Sequence, residues 1–222
     1  MHQICEDLIF HHPFTCLVSG PTQSGKTTLL HKILIAFSQI SDKTPTKIMY
    51  CYSRWQEKFN DLKRQQPLVE FNEGLPNIDL FDPKEVNVLI LDDLMQQCGN
   101  TASICEIFTV DSHHKNISVF FLTQNLFPPE KYARTISRNC NYVIVFDNPR
   151  DRSQIINFAK QMFPSNTNFL TESFQDIINC RSYGYLFLDL TQHPVYGTSR
   201  NPFRVQTGIC PDEIRIIYQE KK

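Results

Sequence analysis

Residues 14–37 read FTCLVSGPTQSGKTTLLHKILIAF, and this stretch decides the fold of the 222-residue chain. It begins with a short apolar run, 14–19, which is typical of a buried β-strand. The run stops at Gly20, and a helical pattern begins at Lys26. Apolar side chains then recur at a spacing that places them in one stripe on a helix. They are Leu29, Leu30, Ile33, Leu34 and Phe37. The stretch therefore predicts a strand, a tight loop and an amphipathic helix.

The loop at 20–27 reads GPTQSGKT and fits the phosphate-loop pattern G-x-x-x-x-G-K-[ST] at every fixed position. Glycines let the backbone curl so that successive N–H groups face an anion, and the helix N-terminus adds a positive dipole end. In such a loop Lys26 reaches the β- and γ-phosphates of a nucleotide, and the Thr27 hydroxyl binds Mg²⁺. The predicted nucleotide-binding residues are Gly20, Gln23, Ser24, Gly25, Lys26, Thr27 and Thr28. The alternative is a glycine-rich turn that matches by chance.

Further apolar runs alternate with helical patterns along the rest of the chain. Strands are predicted at 47–52, 87–91, 118–123, 142–146 and 185–190, and helices at 101–110, 130–138, 151–162 and 168–178. One more helix is predicted to carry Trp55 and Phe59 on one side. Because the strands are continuously apolar, the pattern favours an α/β fold with a mostly parallel central sheet and helices on both faces. We expect a domain at 1–192 and an irregular C-terminal tail with an edge strand at 193–222.

An acidic pair, Asp92 and Asp93, follows the apolar run of the third strand candidate, which is the form of a Walker B motif. We expect this strand to lie in the core beside the first one. Asp92 is predicted to hold Mg²⁺, directly or through water, and Asp93 to orient or deprotonate the attacking water. Many ATPases of this type carry the longer glutamate at the second position. The alternative is an Asx cap on the loop that follows the strand.

The next strand candidate ends in Gln124. If this strand lies next to the acidic one, the amide points at the γ-phosphate; the alternative is a hydrogen-bonded turn residue. Lys131, Arg134 and Arg138 are spaced to share one helix face. That face can supply an arginine finger to a neighbouring subunit, contact nucleic-acid phosphates, or simply be solvated. Arg150 is a rival candidate for the finger.

Composition limits the possible classes of protein. The formal net charge is −1, which does not fit a strongly basic nucleic-acid binder, so any DNA contact must come from a local patch or a ring of subunits. The eight cysteines show no zinc-knuckle spacing, and we expect Cys16 and Cys51 to be reduced and buried. No run approaches the roughly 20 apolar residues of a membrane span. We therefore expect a soluble, intracellular protein without a membrane span.

Several motifs together give the chain a specific resemblance. They are GPTQSGKTT (20–28), CYSRWQ (51–56), VEFNEGLP (69–76), LILDDLM (89–95), SHHKNISVFFLTQNLFP (112–128), RTIS (134–137), NPRDRSQI (148–155) and YGYLFLDL (183–190). On these motifs the chain resembles the FtsK/HerA-like genome-packaging ATPases of double-stranded DNA viruses. It is most similar to those of Polinton/Maverick elements and adintoviruses, and less similar to those of poxviruses and adenoviruses.

The resemblance implies a RecA-like P-loop NTPase core of the ASCE type, with ATP and Mg²⁺ as cofactors. It implies a homo-oligomeric ring that uses ATP hydrolysis to move double-stranded DNA into a capsid, and hence viral capsid proteins as partners. The implied location is inside the host, in the nucleus or a viral factory, or with the virion. Matching motifs assign catalysis to Lys26, Asp93, Gln124, Arg134 and Arg150, and metal binding to Thr27 and Asp92.

Two other classes remain as alternatives. One is a P-loop nucleotide kinase or another NTPase; a kinase needs a lid with arginines, and a small GTPase needs the N-K-x-D guanine motif that this sequence lacks. The other is a non-hydrolysing ATP-binding assembly subunit, or a degenerate remnant of a mobile element. The intact phosphate-loop positions argue against decay.

Overall fold

The computed structural model describes residues 8–98, 100–127, 129–191 and 203–220. These residues form one sheet of nine strands. In chain order the strands are β1 (Thr15–Ser19), β2 (Lys47–Tyr52), β3 (Val69–Glu73), β4 (Asn87–Asp92), β5 (Ile117–Thr123), β6 (Tyr142–Phe146), β7 (Tyr185–Asp189), β8 (Arg204–Thr207) and β9 (Ile216–Tyr218).

The strand order across the sheet is β3-β2-β4-β5-β1-β6-β7-β8-β9. The six strands from β3 to β6 in this order are mutually parallel, and β7, β8 and β9 add antiparallel pairs at one side. The predicted mostly parallel sheet is therefore confirmed. Parallel neighbours cannot be joined by tight hairpins, so the connections cross the faces of the sheet and carry helices.

These helices, with a 3₁₀ turn at Ile78–Leu80 and a π-helical turn at Ile107–Asp111, cover the sheet. They are α1 (Lys26–Ile35), α2 (Phe37–Ile40), α3 (Lys58–Gln65), α4 (Met95–Cys98), α5 (Ala102–Glu106), α6 (Ser112–His114), α7 (Ala133–Arg138), α8 (Ser153–Met162) and α9 (Thr167–Cys180). In the described part of the chain, none of them combines the length and apolarity that crossing a bilayer requires.

Two apolar layers, one on each face, hold the helices to the sheet. Along β5, Val119 and Phe121 belong to the layer under α8 and α9, whereas Phe120 and Leu122 belong to the layer under α1 and α3. Side chains alternate between faces along a strand, so a strand buried on both faces must be apolar throughout. This requirement explains the continuous apolar runs in the sequence. The two layers confirm the prediction that helices cover both faces.

The acidic strand β4 does not lie beside β1, so that prediction is wrong. β5 pairs with β1 on one side and with β4 on the other. All seven residues of β5 are buried, and so are all residues of β1 and β4. Because these three strands are equally apolar and buried, the sequence does not indicate which of them lies between the other two. Because β5 lies between β1 and β4, Gln124 at the end of β5 lies between the phosphate loop and the acidic pair.

Some local predictions also differ from the structure. Trp55 precedes α3 rather than lying on it, and Lys131 precedes α7, so Lys131 does not share a helix face with the two arginines. β3 was not predicted. β8 and β9 do not differ in this way: they lie at the edge of the sheet, in the tail for which an edge strand is predicted. The predicted domain boundary, after residue 192, lies outside the described residues.

Candidate functional site

The phosphate loop, residues 20–27, joins the carboxyl end of β1 to the first turn of α1. Its backbone enters the left-handed region at Gln23 (φ 66°) and at Gly25 (φ 102°). A Cβ on Gly20 would lie 2.7 Å from the Cβ of Phe146, closer than real Cβ contacts allow. One glycine is therefore required by backbone conformation and the other by close packing, and together they shape the tight curl that the motif predicted.

Lys26 folds back over this loop. Its Nζ donates hydrogen bonds to the carbonyl oxygens of Gly20 (2.5 Å) and Pro21 (2.8 Å). Burial lowers the pKa of Lys26, and the nearby carboxylates of Asp92 and Asp93 oppose that shift. The ammonium thus lies at the mouth of the loop, where it can exchange two carbonyl partners for oxygens of a bound anion.

Asp92 is a buried carboxylate with 6% of its surface exposed. Its Oδ2 accepts a hydrogen bond of 2.7 Å from the hydroxyl of Tyr50 on the neighbouring strand β2. The pKa of Asp92 is raised overall, mainly because the carboxyl is buried and also because Asp93 lies nearby. The hydrogen bond from Tyr50 and the charge of Lys26 oppose this rise. A carboxylate oriented in this way suits a hard cation such as Mg²⁺. Sequence reasoning missed Tyr50, which looks like any other apolar-strand residue.

Asp93 and Gln124 meet at the ends of the adjacent strands β4 and β5. Gln124 donates from Nε2 to Oδ1 of Asp93 at 3.4 Å, and Ser53 donates from Oγ to Oδ2 at 3.3 Å. Asp93 has a left-handed backbone (φ 56°), a conformation that aspartate adopts more readily than most residues. Both side chains are exposed, so they can reach a water molecule in front of the sheet.

A cavity of about 240 Å³ brings these groups together. It is lined by Thr22, Gln23, Lys26, Thr27, Gln56, Lys58, Asp92, Asp93, Leu122, Thr123 and Gln124. The predicted metal ligands Thr27 and Asp92 therefore face the same space, as do the predicted catalytic residues Lys26, Asp93 and Gln124. The site fits a nucleoside triphosphate with Mg²⁺, because it combines a loop of N–H groups, an ammonium, a hydroxyl and a buried carboxylate.

A larger cavity of about 550 Å³ lies on the outer side of the phosphate loop. Its lining is Gln23, Ser24, Gly25, Lys26, Thr27, Thr28, Leu29, Lys32, Lys58, Phe146, Ser182, Tyr183, Tyr185 and Glu213. Tyr183 is 72% exposed and has a left-handed backbone (φ 58°). Aromatic rings beside a phosphate loop offer an apolar surface to a nucleobase. The motif at 183–190 included this tyrosine, but nothing in the sequence gave it a role.

The two candidate arginines lie elsewhere. Arg134 is exposed on α7, and Arg150 is exposed in the connection between β6 and α8, where its backbone N–H donates to Asn148. Neither lines the two cavities beside the phosphate loop. These two arginines are thus separate from the two cavities described above. Lys58, which lines both cavities, was missed because nothing in the sequence distinguishes it from other exposed lysines.

Solved structures that share this fold include two that cover nearly the whole chain. Both are of the genome packaging NTPase B204 from Sulfolobus turreted icosahedral virus 2, one in complex with AMPPCP and one with ATP-gammaS. The first is 15% identical with a TM-score of 0.50, covering 94% of this chain and 98% of that one. The second is 11% identical with a TM-score of 0.50, covering 93% and 97%.

A scan against models of protein families and a search of curated proteins gave no match. At such low identity, the structural likeness establishes the fold alone. The predicted α/β fold of the RecA-like P-loop type, with a mostly parallel central sheet and helices on both faces, is confirmed.

Proposed function

We propose that this chain is an ATPase that assembles into a homo-oligomeric ring and moves double-stranded viral DNA into a capsid. The observation that carries the proposal is the convergence of Lys26, Thr27, Asp92, Asp93 and Gln124 around one cavity. Three separate sequence motifs supply these residues, and each is the type that phosphoryl transfer needs at its position. The distributed motif resemblance and the shared fold with a viral genome packaging NTPase support the packaging role.

In this proposal the triphosphate lies across the phosphate loop, and the nucleoside occupies the larger cavity. Lys26 and the loop amides bind the β- and γ-phosphates. Asp93 and Gln124 orient a water molecule toward the γ-phosphorus, and Asp93 accepts its proton as the bond to ADP breaks. Thr27 and Asp92 would hold Mg²⁺, which would neutralise part of the phosphate charge.

The remaining catalytic charge is proposed to come from a neighbouring subunit. An arginine that stabilises the transferring phosphoryl group has to reach into the site. Arg134 and Arg150 are both exposed and lie outside the cavities beside their own phosphate loop, which suits a role across an interface. The site would then be complete only in the assembled ring.

DNA contact is proposed to occur through phosphates, without sequence reading. The chain as a whole carries a net charge of −1, so binding of the DNA phosphates depends on local basic groups concentrated around the ring channel. Binding to DNA should therefore weaken steeply as the salt concentration rises.

The proposal is tested by ATP turnover with and without double-stranded DNA, for the wild type, Lys26→Ala and Arg134→Ala. We expect DNA to stimulate the wild type, Lys26→Ala to be inactive, and mixed Lys26→Ala and Arg134→Ala subunits to recover some activity. Recovery is possible only if the arginine acts across an interface. Turnover by a monomer that ignores DNA would contradict the motor, and nucleotide binding without turnover, even with DNA, would contradict the ATPase.

A further inference from the structure

Lys58 faces the phosphate loop from another part of the chain. Four residues line both the 240 Å³ and the 550 Å³ cavities: Gln23, Lys26, Thr27 and Lys58. Three of them belong to the phosphate loop, and Lys58 is the one that does not. It is the first residue of α3, in the connection that leaves β2. The two cavities thus meet between the phosphate loop and this lysine.

The position of Lys58 is set by its neighbours in sequence. The adjacent Phe59 is fully buried, and its ring packs against those of Trp55 and Phe71 at centroid distances of 5.4 and 5.0 Å. Because this aromatic packing anchors the start of α3, the backbone of Lys58 is held in place even though its side chain is exposed.

The charge of Lys58 is unpaired within the part of the chain that the structure describes. Among the described residues it makes neither an ion pair nor a side-chain hydrogen bond, and the acid one turn further along α3, Asp61, pairs with Arg64 instead. Lys58 and Lys26 both line the two cavities, and the carboxylates of Asp92 and Asp93 line the smaller one with them. The phosphate loop, which is built for anions, forms another part of the same wall.

An ordinary solvated helix face does not account for this arrangement. A lysine at the N-terminus of a helix opposes the helix dipole, so α3 gains no stability from it there. A polyanion bound between Lys26 and Lys58 would give the Lys58 ammonium a partner.

We propose that Lys58 binds the β- or γ-phosphate of the nucleotide, from the side opposite Lys26. This inference rests on the proposed nucleotide site and adds a phosphate-binding residue to it. Lys58 clamps the triphosphate where it passes from the larger cavity to the smaller one. Its contribution should therefore depend on how many phosphates the nucleotide carries.

The test compares equilibrium binding of ATP, ADP and AMP to the wild type, Lys58→Ala, Lys58→Arg and Lys160→Ala. Lys160 is exposed on α8, on the opposite face of the sheet, so its variant controls for the loss of one positive charge. For Lys58→Ala we expect ATP to bind about tenfold to a hundredfold more weakly, with AMP changed less than about twofold. Lys58→Arg should recover most of the loss, and Lys160→Ala should match the wild type.

The outcomes separate this inference from the proposed function. Unchanged ATP affinity in Lys58→Ala, or equal weakening for AMP and ATP, would overturn the role of Lys58 while leaving the nucleotide site intact. A wild type that binds none of the three nucleotides would overturn the nucleotide site itself, and the role of Lys58 with it. The melting temperatures of all four proteins, measured without nucleotide, should agree because the replaced side chains are exposed.

Discussion

The hydroxyl of Tyr50 donates a hydrogen bond of 2.7 Å to Oδ2 of Asp92, which links the neighbouring strands β2 and β4 inside the protein. Tyr50 is fully buried and Asp92 nearly so. A hydrogen bond to a buried carboxylate contributes about 1.5–3 kcal/mol, and removing the donor leaves the charge without that partner. Tyr50 therefore fixes one oxygen of the candidate metal ligand and leaves the other to face the cavity.

Replacing Tyr50 with Phe should weaken Mg²⁺ binding while preserving the fold. Because the Asp92 carboxylate loses its orienting partner, we expect the Mg²⁺ concentration that half-saturates turnover to rise about tenfold. Metal titrations of ATP turnover check this expectation. Tyr52→Phe, on the same strand, is the matched control and should behave as the wild type; equal effects of the two substitutions would refute the positioning role of Tyr50.

Replacing Gly25 with Ala should abolish nucleotide binding and also destabilise the protein. The backbone φ of 102° is strained for any residue with a Cβ, at a cost of about 1–2 kcal/mol. Gly74 (φ 85°) has open space around its Cβ position, so Gly74→Ala carries a similar backbone penalty away from the loop. Denaturant melts should show comparable losses of unfolding free energy for both, whereas calorimetry with an ATP analogue should show lost binding for Gly25→Ala alone.

Replacing Asp93 with Asn should separate binding from chemistry. The side chain keeps its size but can no longer accept a proton, so turnover should fall about a hundredfold or more while ATP affinity changes less than about threefold. Single-turnover hydrolysis and equilibrium binding measure the two quantities. If turnover persists in Asp93→Asn, the attacking water is activated elsewhere, and Asp93 is only a loop-capping residue.

His31 should make the protein lose stability in mild acid. Burial lowers its pKa from 6.5 to about 4, and its Nε2 has no hydrogen-bond partner among the described residues. The unfolded chain therefore binds a proton between these pH values while the folded protein does not. The stability associated with neutral His31 is fully present above about pH 6.5 and is lost as the pH falls toward 4.

His31→Leu should lose less unfolding free energy than the wild type over this interval. We expect a difference of about 1–3 kcal/mol, because partial exposure reduces the full linkage value. Denaturant melts at pH 7 and pH 4.5 measure it, with the exposed His114 replaced by Leu as the control. Parallel pH profiles of His31→Leu and the wild type would contradict the assignment.

The strands that pair with a neighbour on each side were the most predictable part of the fold. β2 and β6 have the predicted bounds because each is an unbroken apolar run that two helical layers bury. β3 escaped prediction because an edge strand with Glu70, Asn72 and Glu73 lacks that run. The π-helical turn after α5 fell inside a predicted helix because a one-residue change in hydrogen-bond register leaves the apolar pattern almost unchanged.

The candidate site was predictable where a motif fixes its residues. The loop glycines, Lys26, Thr27 and the acidic pair are local patterns, and the structure places Lys26, Thr27 and the acidic pair around one cavity. Tyr50 and Lys58 were not predictable, because their positions follow from strand order and helix placement rather than from sequence spacing. Whether Arg134 or Arg150 acts in a neighbouring site depends on an assembly, which a single chain does not specify.

The most direct test of the account is a crystal structure with Mg²⁺ and a non-hydrolysable ATP analogue. We expect the triphosphate on the amides of residues 20–27, with Lys26 released from the carbonyl oxygens of Gly20 and Pro21, and the metal beside Thr27 and Asp92. A phosphate loop that stays empty at saturating analogue, or an analogue bound away from these residues, would contradict the account.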